Sequence, residues 1–319
     1  MDRINICLLG GTGFVGYHLA NHLAGAEYRV RVPTRHRERH RDLLVIPTVG
    51  LTEANIHDDR QLYRVLDGCD IVINLVAILN ARRRDDFQRV HVELPRRIVK
   101  ACAATGVRRL VHMSALNADP VNGTSAYLRS KGEGEKIALE AHSANLAVSV
   151  FRPSVIFGPG DHLFNRFAAL LRLAPVLPLA CPNARFAPVY VEDVVRAMVA
   201  CLGLSPSTAQ RFELCGPKIY TLLELVEYTN RILGTRRTVL PLGSGISNLM
   251  AGILGALPGK LLTRDNVQSM QVDAVCNDKH LTTPYCKTAI EAVVPFYVGR
   301  KDQRSLYDVH RAGVHRGHS

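Results

Sequence analysis

The feature that most constrains the fold is a glycine-rich segment directly after an apolar run near the N-terminus. Ile4–Leu9 is mostly apolar, as is typical of a strand buried on both faces of a parallel sheet. Gly10-Gly11-Thr12-Gly13-Phe14-Val15-Gly16 follows and opens a helical pattern. In such a strand–turn–helix unit, Gly10 permits a tight turn, Gly13 lets the backbone approach a pyrophosphate, and Gly16 lets the helix pack closely. The segment predicts a phosphate-binding loop at the positive end of a helix; a glycine-rich turn without ligand is the alternative.

Strand and helix patterns alternate through the first half of the chain. The further predicted strands are Tyr28–Val32, Leu43–Val49, Asp70–Val76, Leu110–Met113 and Ala147–Phe151. The predicted helices are Gly13–Ala24, Arg60–Leu66, Phe87–Ala104, Tyr127–His142, Val191–Leu202 and Leu222–Leu233. Strands separated by helices of this length indicate βαβ units with right-handed crossovers. We therefore expect an α/β protein with a doubly wound parallel sheet of the Rossmann type.

Two domains are expected, because prolines become frequent and the alternation stops after Arg152. The first, 1–157, would be a nucleotide-binding domain, and 158–319 a smaller α+β domain for a substrate or partner. Residues 188–203 are expected to pack back on the first domain. The polar tail 299–319 is expected to be loosely held.

Composition excludes several function classes. The 319 residues carry 40 Lys and Arg against 28 Asp and Glu, and this excess is spread over both halves rather than forming a basic arm. With no Trp and 6% aromatic residues, a stacking platform for single-stranded nucleic acid is not expected. A positive field instead favours phosphorylated cofactors, acidic partners or an anionic membrane surface. No run of roughly 18 apolar residues and no signal peptide is seen, so we expect a cytoplasmic protein.

The cysteines and histidines predict neither a disulfide scaffold nor a metal site. Eight cysteines are sparse for this length and include no C-x-x-C pair, so we expect reduced thiols. His36, His40, His91 and His112 lack ligand spacing.

The end of the second predicted strand indicates which dinucleotide binds. A site for NAD places Asp or Glu about 20 residues after the glycines, to bond the ribose 2′-hydroxyl. Here Val32-Pro33-Thr34-Arg35 offers no carboxylate, and Arg37 and Arg39 follow. Guanidinium groups suit a 2′-phosphate, so we favour NADP(H) over NAD(H), with Arg35 as the candidate. A solvated basic loop is the alternative, above all for Arg37, Arg39 and Arg41.

Tyr127 and Lys131 are the candidates for acid–base chemistry. Their i, i+4 spacing puts both on one face of a helix. Free tyrosine has a pKa of about 10, and a nearby ammonium would lower it. Tyr127 would then act as a general acid or base, with Lys131 tuning it. An exposed helix pair is the alternative.

Several segments in a fixed order carry a resemblance to a known family. Besides the G-x-x-G-x-x-G spacing, they are Asn74-Leu75-Val76-Ala77, the Y-x-x-x-K of Tyr127–Lys131, the R-P-x-x-x-F-G-P-G of Arg152–Gly160 and the V-x-V-x-D-V of 189–194. The chain resembles the extended and atypical short-chain dehydrogenase/reductase superfamily, whose members are epimerase/dehydratase-like. The cofactor-binding residues that this resemblance implies are Gly10, Thr12, Gly13, Phe14, Val15, Gly16, Arg35, Asp58, Leu75, Val76, Ala77, Lys131, Pro153 and Val155.

The third catalytic position has two candidates. Ser114 follows the strand Leu110–Met113 at the distance from Tyr127 that ordinary members of the superfamily show. Aligned on extended members, the catalytic hydroxyl would instead fall at Leu116, which can neither bond nor polarise a substrate oxygen. In that case nucleotide binding would survive without catalysis.

A stripe of apolar residues in 246–257 is expected to pack on the smaller domain or cover an apolar pocket. It comprises Ile246, Leu249, Met250, Ile253, Leu254 and Leu257, with small uncharged residues opposite. Contact with a bilayer, at the inner-membrane surface, or with a hydrophobic partner is the alternative.

The run Leu257–Val267 and the segment Lys131–Glu135 resemble one branch of these reductases. That branch contains the NADPH-binding Rossmann accessory subunit of respiratory complex I and its bacterial relatives. The resemblance implies tight NADPH binding and association with respiratory or quinone-linked machinery.

Three functions follow from the sequence. The leading one is an NADP(H)-binding oxidoreductase that acts on an unidentified small molecule, with Tyr127, Lys131 and Ser114 at its centre. The second is a non-catalytic, NADPH-stabilised subunit or assembly factor. The third is a nucleotide-sugar epimerase or dehydratase.

Overall fold

A seven-stranded parallel sheet forms the centre of the molecule. The computed structural model describes residues 3–26, 28–81, 83, 85–203, 209–243, 245, 262–276 and 284–299. The described residues form the strands β1 (Asn5–Leu9), β2 (Arg29–Thr34), β3 (Val49–Glu53), β4 (Ile71–Asn74), β5 (Arg109–Met113), β6 (Ala147–Pro153), β7 (Ile156–Phe157), β8 (Val176–Leu179), β9 (Arg185–Phe186), β10 (Val189–Tyr190), β11 (Gln210–Leu214), β12 (Tyr220–Thr221) and β13 (Thr238–Pro241). Seven of them form the central sheet, and the others pair in two-stranded sheets. The order in the central sheet is β11-β6-β5-β4-β1-β2-β3, and all its pairs are parallel.

Helices cover both faces of this sheet. The described residues form the helices α1 (Phe14–Gly25), α2 (Arg41–Leu44), α3 (Asp59–Leu66), α4 (Leu94–Thr105), α5 (Ala126–Glu140), α6 (Phe164–Leu173), α7 (Val191–Leu202), α8 (Leu222–Ile232), α9 (Arg264–Ser269) and α10 (Val294–Val298). A π-helical turn at Gln88–Glu93 leads into α4, and 3₁₀ turns lie at Arg37–His40 and Ile290–Ala292. The predicted doubly wound α/β fold is confirmed.

The position of the candidate site follows from the strand order. After β1 the chain builds outwards through β2 and β3, then returns to the other side of β1 with β4. In open parallel sheets, ligands bind outside the carboxyl ends of the strands at such a reversal. The glycine-rich segment leaves β1 at this point.

Apolar burial on both faces explains why the central strands β1 and β4 are largely apolar runs. Ile6, Cys7, Leu8 and Leu9 of β1 are all fully buried. On one face α1 and α7 pack over the sheet, and on the other α3, α4 and α5 do. A strand buried on both sides has no polar face, so it shows no alternation in sequence.

The predicted strand Leu43–Val49 is wrong. Residues Arg41–Leu44 form the short helix α2, and the strand β3 begins only at Val49. Leu43 and Ile46 are buried three residues apart, and Thr48 takes a positive φ of 66° that ends the helical turn before β3. A short apolar run does not distinguish a helical turn from a strand, which is why the pattern misled.

The second half of the chain contributes to two cores. Helix α7 packs on α1, and β11 adds an edge strand beside β6. Helices α6, α8 and α10 surround Phe157 and Phe164 in a separate apolar cluster. The expected division at 157/158 into two folding units stays a prediction.

The expectation that all eight cysteines are reduced is wrong for one pair. Cys215, directly after β11, forms a disulfide with Cys276, and 61 positions separate the two in sequence. Of the other six, Cys7, Cys69, Cys102 and Cys201 are buried thiols. Sequence spacing alone cannot identify such a long-range pair.

None of the described helices is long and apolar enough to cross a membrane. The apolar stripe predicted at 246–257 and the tail from residue 300 onwards lie outside the described residues.

Candidate active site

Backbone packed against backbone positions the glycine-rich loop. Gly10 has a φ of 81°, and a Cβ on it would lie 3.1 Å from the Leu75 carbonyl carbon and 3.2 Å from the Val76 nitrogen. A Cβ on Gly16 would overlap Gly10 and lie 2.5 Å from the Gly11 Cα. Both positions therefore require glycine, and the loop, the end of β4 and the start of α1 meet without intervening side chains.

The first turn of α1 can receive an anion. Gly13 is the residue before the helix, no side chain caps the helix start, and no acidic residue lies in the first turn. Thr12, Phe14 and Val15 of this turn are half-buried, while Gly13 is exposed. Amide groups without an intrahelical partner and the positive end of the helix dipole together favour phosphate. These residues fit the pyrophosphate of a dinucleotide.

The corner beyond β2 is rich in arginine. Arg35 is exposed directly after the buried Thr34, at the carboxyl end of β2. Burial lowers the pKa of His57 from its ordinary value, and the guanidinium groups of Arg89, Arg97 and Arg35 lower it further. Positive charge from three elements therefore converges on this corner.

Asp58 has a structural role in the same corner. Its carboxylate accepts the Gln61 N–H at 2.9 Å and so caps the start of α3. Its predicted contact with the adenine stays a prediction.

The end of β4 is fixed by buried polar contacts. Asn74 Nδ2 lies 3.1 Å from His112 Nδ1, and Asn74 Oδ1 accepts the Val76 N–H at 3.2 Å. Leu75 N–H donates to Leu9 O at 2.9 Å, while Ala77 is exposed. These contacts hold the predicted cofactor segment 75–77 beside the loop after β1.

Lys131 is buried at the centre of the site. Its Nζ donates to the carbonyl of Met113 at 2.6 Å, at the residue directly before Ser114. Burial lowers the pKa of Lys131 to about 8, and the Glu135 carboxylate opposes this shift. The structure thus brings α5 and the end of β5 together.

Tyr127 is not activated in the way the sequence predicts. The pKa of Tyr127 is raised to about 12, first by burial and then by the Asp265 carboxylate. Because the Lys131 ammonium is directed at a backbone carbonyl, it does not offset these effects. The expected lowering of this pKa is therefore wrong for the protein without cofactor, and the phenol is held in its protonated form.

His91 connects the cofactor segment to the helix of Tyr127. Its Nε2 accepts the Ile78 N–H at 3.1 Å, which leaves Nδ1 to donate to Ser130 Oγ at 2.9 Å. Ser130 in turn donates to the Tyr127 carbonyl at 2.9 Å. Burial, reinforced by the Lys131 charge, lowers the pKa of His91 to about 3, so the ring is neutral. The sequence around His91 gives no signal for this role, because its partners Ile78 and Ser130 lie 13 and 39 residues away.

Ser114 and Leu116 both lie in the buried loop after β5. Ser114 Oγ is buried and has no hydrogen-bond partner among the described residues. Leu116 N–H donates to the Pro153 carbonyl at 3.0 Å, so its part in the structure is a backbone contact. Buried hydroxyls are normally paired, and Ser114 Oγ is thus available to a bound ligand.

A buried carboxylate holds α5 against the sheet. Glu135 Oε1 accepts Arg152 Nη2 and Arg211 Nε, both at 2.7 Å. Arg152 also donates to Ala118 O at 3.0 Å. The R-P-x-x-x-F-G-P-G segment therefore begins with a residue that fixes the helix of Tyr127. Further along it, the Val155 carbonyl accepts the Val189 N–H at 3.0 Å.

Two regions of polar contacts were not predicted from the sequence. His18 Nδ1 and His22 Nε2, one turn apart on α1, each lie 2.5 Å from a carboxylate oxygen of Glu192. The spacing H-x-x-x-H was a visible signal, but its partner is far away in sequence. The structure's described ranges contain no group of three His, Cys, Asp or Glu side chains suited to a metal.

The second region is the segment 262–276, whose Asp265 lies beside Tyr127.

A glycine loop at the reversal of a parallel sheet indicates a dinucleotide-binding fold. The family model described as "NAD dependent epimerase/dehydratase family" matches residues 6–212. The chain belongs to this family. The resemblance to short-chain dehydrogenase/reductase proteins is confirmed.

Relatives by sequence extend over most of the chain. The mouse protein "NADH dehydrogenase [ubiquinone] 1 alpha subcomplex subunit 9, mitochondrial" is 31% identical over 280 residues, which are 84% of this chain and 72% of that protein. The "NADH-ubiquinone oxidoreductase 40 kDa subunit, mitochondrial" of Neurospora crassa is 28% identical over 279 residues, 86% of this chain and 72% of that protein. "Ceramide reductase" of Caulobacter vibrioides is 32% identical over 198 residues, 61% of this chain and 60% of that protein.

Solved structures show the same fold. MoeE5 in complex with UDP-glucuronic acid and NAD aligns with a TM-score of 0.66 at 20% identity, over 75% of this chain and 86% of that one. UDP-glucose 4-epimerase from Thermotoga maritima aligns with a TM-score of 0.64 at 19% identity, over 75% and 85%.

Replacing the buried lysine tests the electrostatics of the site. At neutral pH Lys131 is charged in both the folded and the unfolded chain. Its lowered pKa therefore means that burying this charge destabilises the folded state. We expect Lys131→Met in nucleotide-free protein to raise the free energy of unfolding by about 1–2 kcal/mol, because loss of the hydrogen bond to Met113 offsets part of the gain.

The gain should shrink as pH rises from about 8 towards 10.5, because the folded wild type then releases the proton while the unfolded chain keeps it. Urea unfolding at several pH values measures this. Lys136→Met, at an exposed position of the same helix, should show no such pH dependence. A gain in Lys131→Met that is independent of pH would contradict the assignment.

Proposed function

We propose that the protein is an NADPH-dependent reductase in which Tyr127 donates the proton to a substrate carbonyl oxygen. The observation that carries this is the protonated phenol of Tyr127 on the same helix as Lys131, whose ammonium reaches the end of β5 directly before the unpartnered Ser114. Bound NADPH would supply the hydride, so that a carbonyl group becomes an alcohol. At neutral pH a phenol with a pKa of about 12 carries its proton, but it is a weaker acid than free tyrosine, so its proton transfer depends on the bound substrate and nucleotide.

The neighbouring groups have distinct roles in this proposal. Lys131 remains fixed between α5 and β5, where its ammonium would face the ribose of the nicotinamide. The unpartnered Ser114 Oγ would donate a hydrogen bond to the same carbonyl oxygen and polarise it. The neutral His91 keeps the carbonyl of Tyr127 in place through Ser130. A relative named as a ceramide reductase supports the reductive direction.

Removing one hydroxyl tests the proton donor. We expect Tyr127→Phe to reduce kcat by at least about a hundredfold, because the proton would have to come from water, and to leave NADPH affinity nearly unchanged. NADPH oxidation in a carbonyl-substrate screen and NADPH fluorescence titration measure the two quantities. Tyr63→Phe, on the outer helix α3, is the matched control. Equal turnover in Tyr127→Phe and wild type would remove Tyr127 from the mechanism.

The preference for NADP(H) over NAD(H) also belongs to this proposal. It is supported by Arg35 at the end of β2, by the positive charge around His57 and by the absence of a carboxylate at 32–35. A 2′-phosphate would accept hydrogen bonds from the Arg35 guanidinium, whereas a 2′-hydroxyl would leave this charge unused.

A single substitution measures this preference. We expect Arg35→Ala to weaken NADPH binding about tenfold to a hundredfold and to leave NADH binding unchanged, because only the contact with the phosphate is lost. Calorimetric titration with each nucleotide gives both constants. Arg37→Ala, also exposed, should change neither. Equal losses for NADPH and NADH would show that Arg35 does not contact the 2′-phosphate.

A second candidate function is an NADPH-stabilised subunit or assembly factor of respiratory or quinone-linked machinery. It is supported by relatives that are subunits of mitochondrial NADH dehydrogenase and by Leu116 at the alternative catalytic position. Nucleotide bound to the folded state alone would then act as a stabilising ligand. In either case we propose that the protein is cytoplasmic. Its contact with the inner-membrane surface or with a respiratory complex would be made by residues 246–257.

The nucleotide retained on purification distinguishes these functions. The protein is purified without added nucleotide and denatured, and the released compounds are identified by mass spectrometry. A turning-over reductase should release little and bind NADPH reversibly at micromolar concentration. Near-stoichiometric NADPH would favour the subunit. Release of NAD would contradict the role of Arg35 and favour a nucleotide-sugar epimerase or dehydratase, which uses NAD without net consumption.

A further inference from the structure

A segment from the C-terminal half lies across the candidate site. Residues Leu262–Cys276, here called the strap, include helix α9 and contact the loops that follow β5 and β6. Its contacts with these loops and with the start of α5 are Asp265 Oδ1 with Ala126 N at 2.7 Å, Asp265 Oδ2 with Tyr127 N at 3.3 Å, Gln268 O with Thr124 Oγ1 at 2.8 Å, Ser269 Oγ with Ser125 Oγ at 2.7 Å, Asp273 O with Asn117 Nδ2 at 2.8 Å, and Ala274 O with Ser154 Oγ at 2.7 Å. All of these partners lie outside the strap, and none is close to it in sequence.

Asp265 completes the first turn of α5. The amides of Ala126 and Tyr127 point out of the helix start, where no intrahelical carbonyl is available. The Asp265 carboxylate accepts both, and Ser125 Oγ accepts the Leu128 N–H at 3.1 Å. A negative charge at this end also suits the helix dipole. The orientation of the turn that carries Tyr127 therefore depends on a residue supplied by the strap.

The end of the strap is attached at two points. Ala274 bridges to Phe186, with Ala274 N–H donating to Arg185 O at 2.8 Å. Two residues later, the disulfide ties Cys276 to Cys215 at the end of β11. The bond thus links the strap to the edge strand of the central sheet.

Little apolar burial holds the strap in place. The structure describes every residue of the strap. Among them, Val267 has the one buried side chain. A cavity of about 440 Å³ lies between Val267, Met270 and Asp273 of the strap and the facing residues Asn183 and Leu242. Both cysteines are only half-buried, so a reductant can reach them.

We propose that Asp265 is a positioning residue, which fixes the first turn of α5 and with it Tyr127, and that the Cys215–Cys276 bond keeps the strap against this turn. The inference deepens the proposed function and rests on it for its catalytic consequence. A dithiol opens the bond by exchange. One of its thiolates attacks a protein sulfur and expels the other cysteine as a thiolate, which leaves a mixed disulfide. The second thiol of the reductant then attacks its own sulfur in this mixed disulfide and expels the remaining cysteine. Two electrons and two protons thereby pass to Cys215 and Cys276, and the dithiol becomes a disulfide. The strap then remains attached by its hydrogen bonds, by the ion pair of Asp273 with Arg185 and by the burial of Val267.

Hydrogen exchange tests the attachment without any need for activity. Full-length protein is compared before and after treatment with dithiothreitol, by mass spectrometry of peptides that cover residues 124–130. Reduction should speed exchange at Ala126 and Tyr127 by about tenfold, as expected for loss of a hydrogen bond to a charged group. Cys215→Ser should reproduce this without reductant and should not respond to it. Unchanged exchange in both experiments would overturn the proposal.

Substitution of Asp265 tests the positioning role. Asp265→Ala should speed exchange at the same two amides, and Asp265→Asn, which keeps one acceptor oxygen, should do so less. In a turnover assay, Asp265→Ala should lower kcat by about tenfold while the KM for NADPH stays the same, with partial rescue in Asp265→Asn. Gln271→Ala, an exposed strap residue, is the matched control.

Failure of the proposed reductase function and failure of the positioning role of Asp265 give different experimental results. If the wild type shows no turnover with any carbonyl substrate, the proposed function fails, and the exchange experiments still decide whether the strap holds α5. If exchange responds to reduction and to Asp265→Ala but kcat does not, the positioning role is overturned while the proposed reductase stands.

Discussion

Close packing of backbone on backbone at the start of α1 is the constraint on which the rest of the site depends. Gly10 turns with a positive φ against Leu75 and Val76, and Gly16 lies where a Cβ would overlap the turn itself. Three elements can therefore meet at one point, and the uncapped amides of α1 face the reversal of the sheet. Because packed interiors do not accommodate an added methyl group without rearrangement, this geometry holds only with glycine at both positions.

Burial gives the site its electrostatic character. Removal from water lowers the pKa of Lys131 and of His91 and raises that of Tyr127, since in each case it disfavours the charged form. The result is a neutral imidazole, a protonated phenol and a buried ammonium that donates to the Met113 carbonyl. The protonation states on which the proposed reaction depends are therefore set by the packing of α5 on β5.

The sequence predicted those parts of the site that are local. The glycine segment and the Tyr–Lys pair were found because a turn or a helix face fixes the distance between their residues. The interpretation of Leu43–Val49 was wrong because a short apolar run fits a helical turn as well as a strand. The expected activation of Tyr127 was wrong because the direction of the Lys131 ammonium depends on where β5 ends, which helix spacing does not contain.

The sequence by itself determined the alternation of strands and helices, the doubly wound sheet and the place of the phosphate-binding loop, since each follows from patterns within about 20 residues. Only the tertiary structure decided what faces Tyr127. Asp265 and Tyr127 are far apart in the chain, as are Cys215 and Cys276 and the pair His18 and Glu192. Such contacts form because the fold brings distant segments to one edge of the sheet, and no periodicity along the chain records which segments these are.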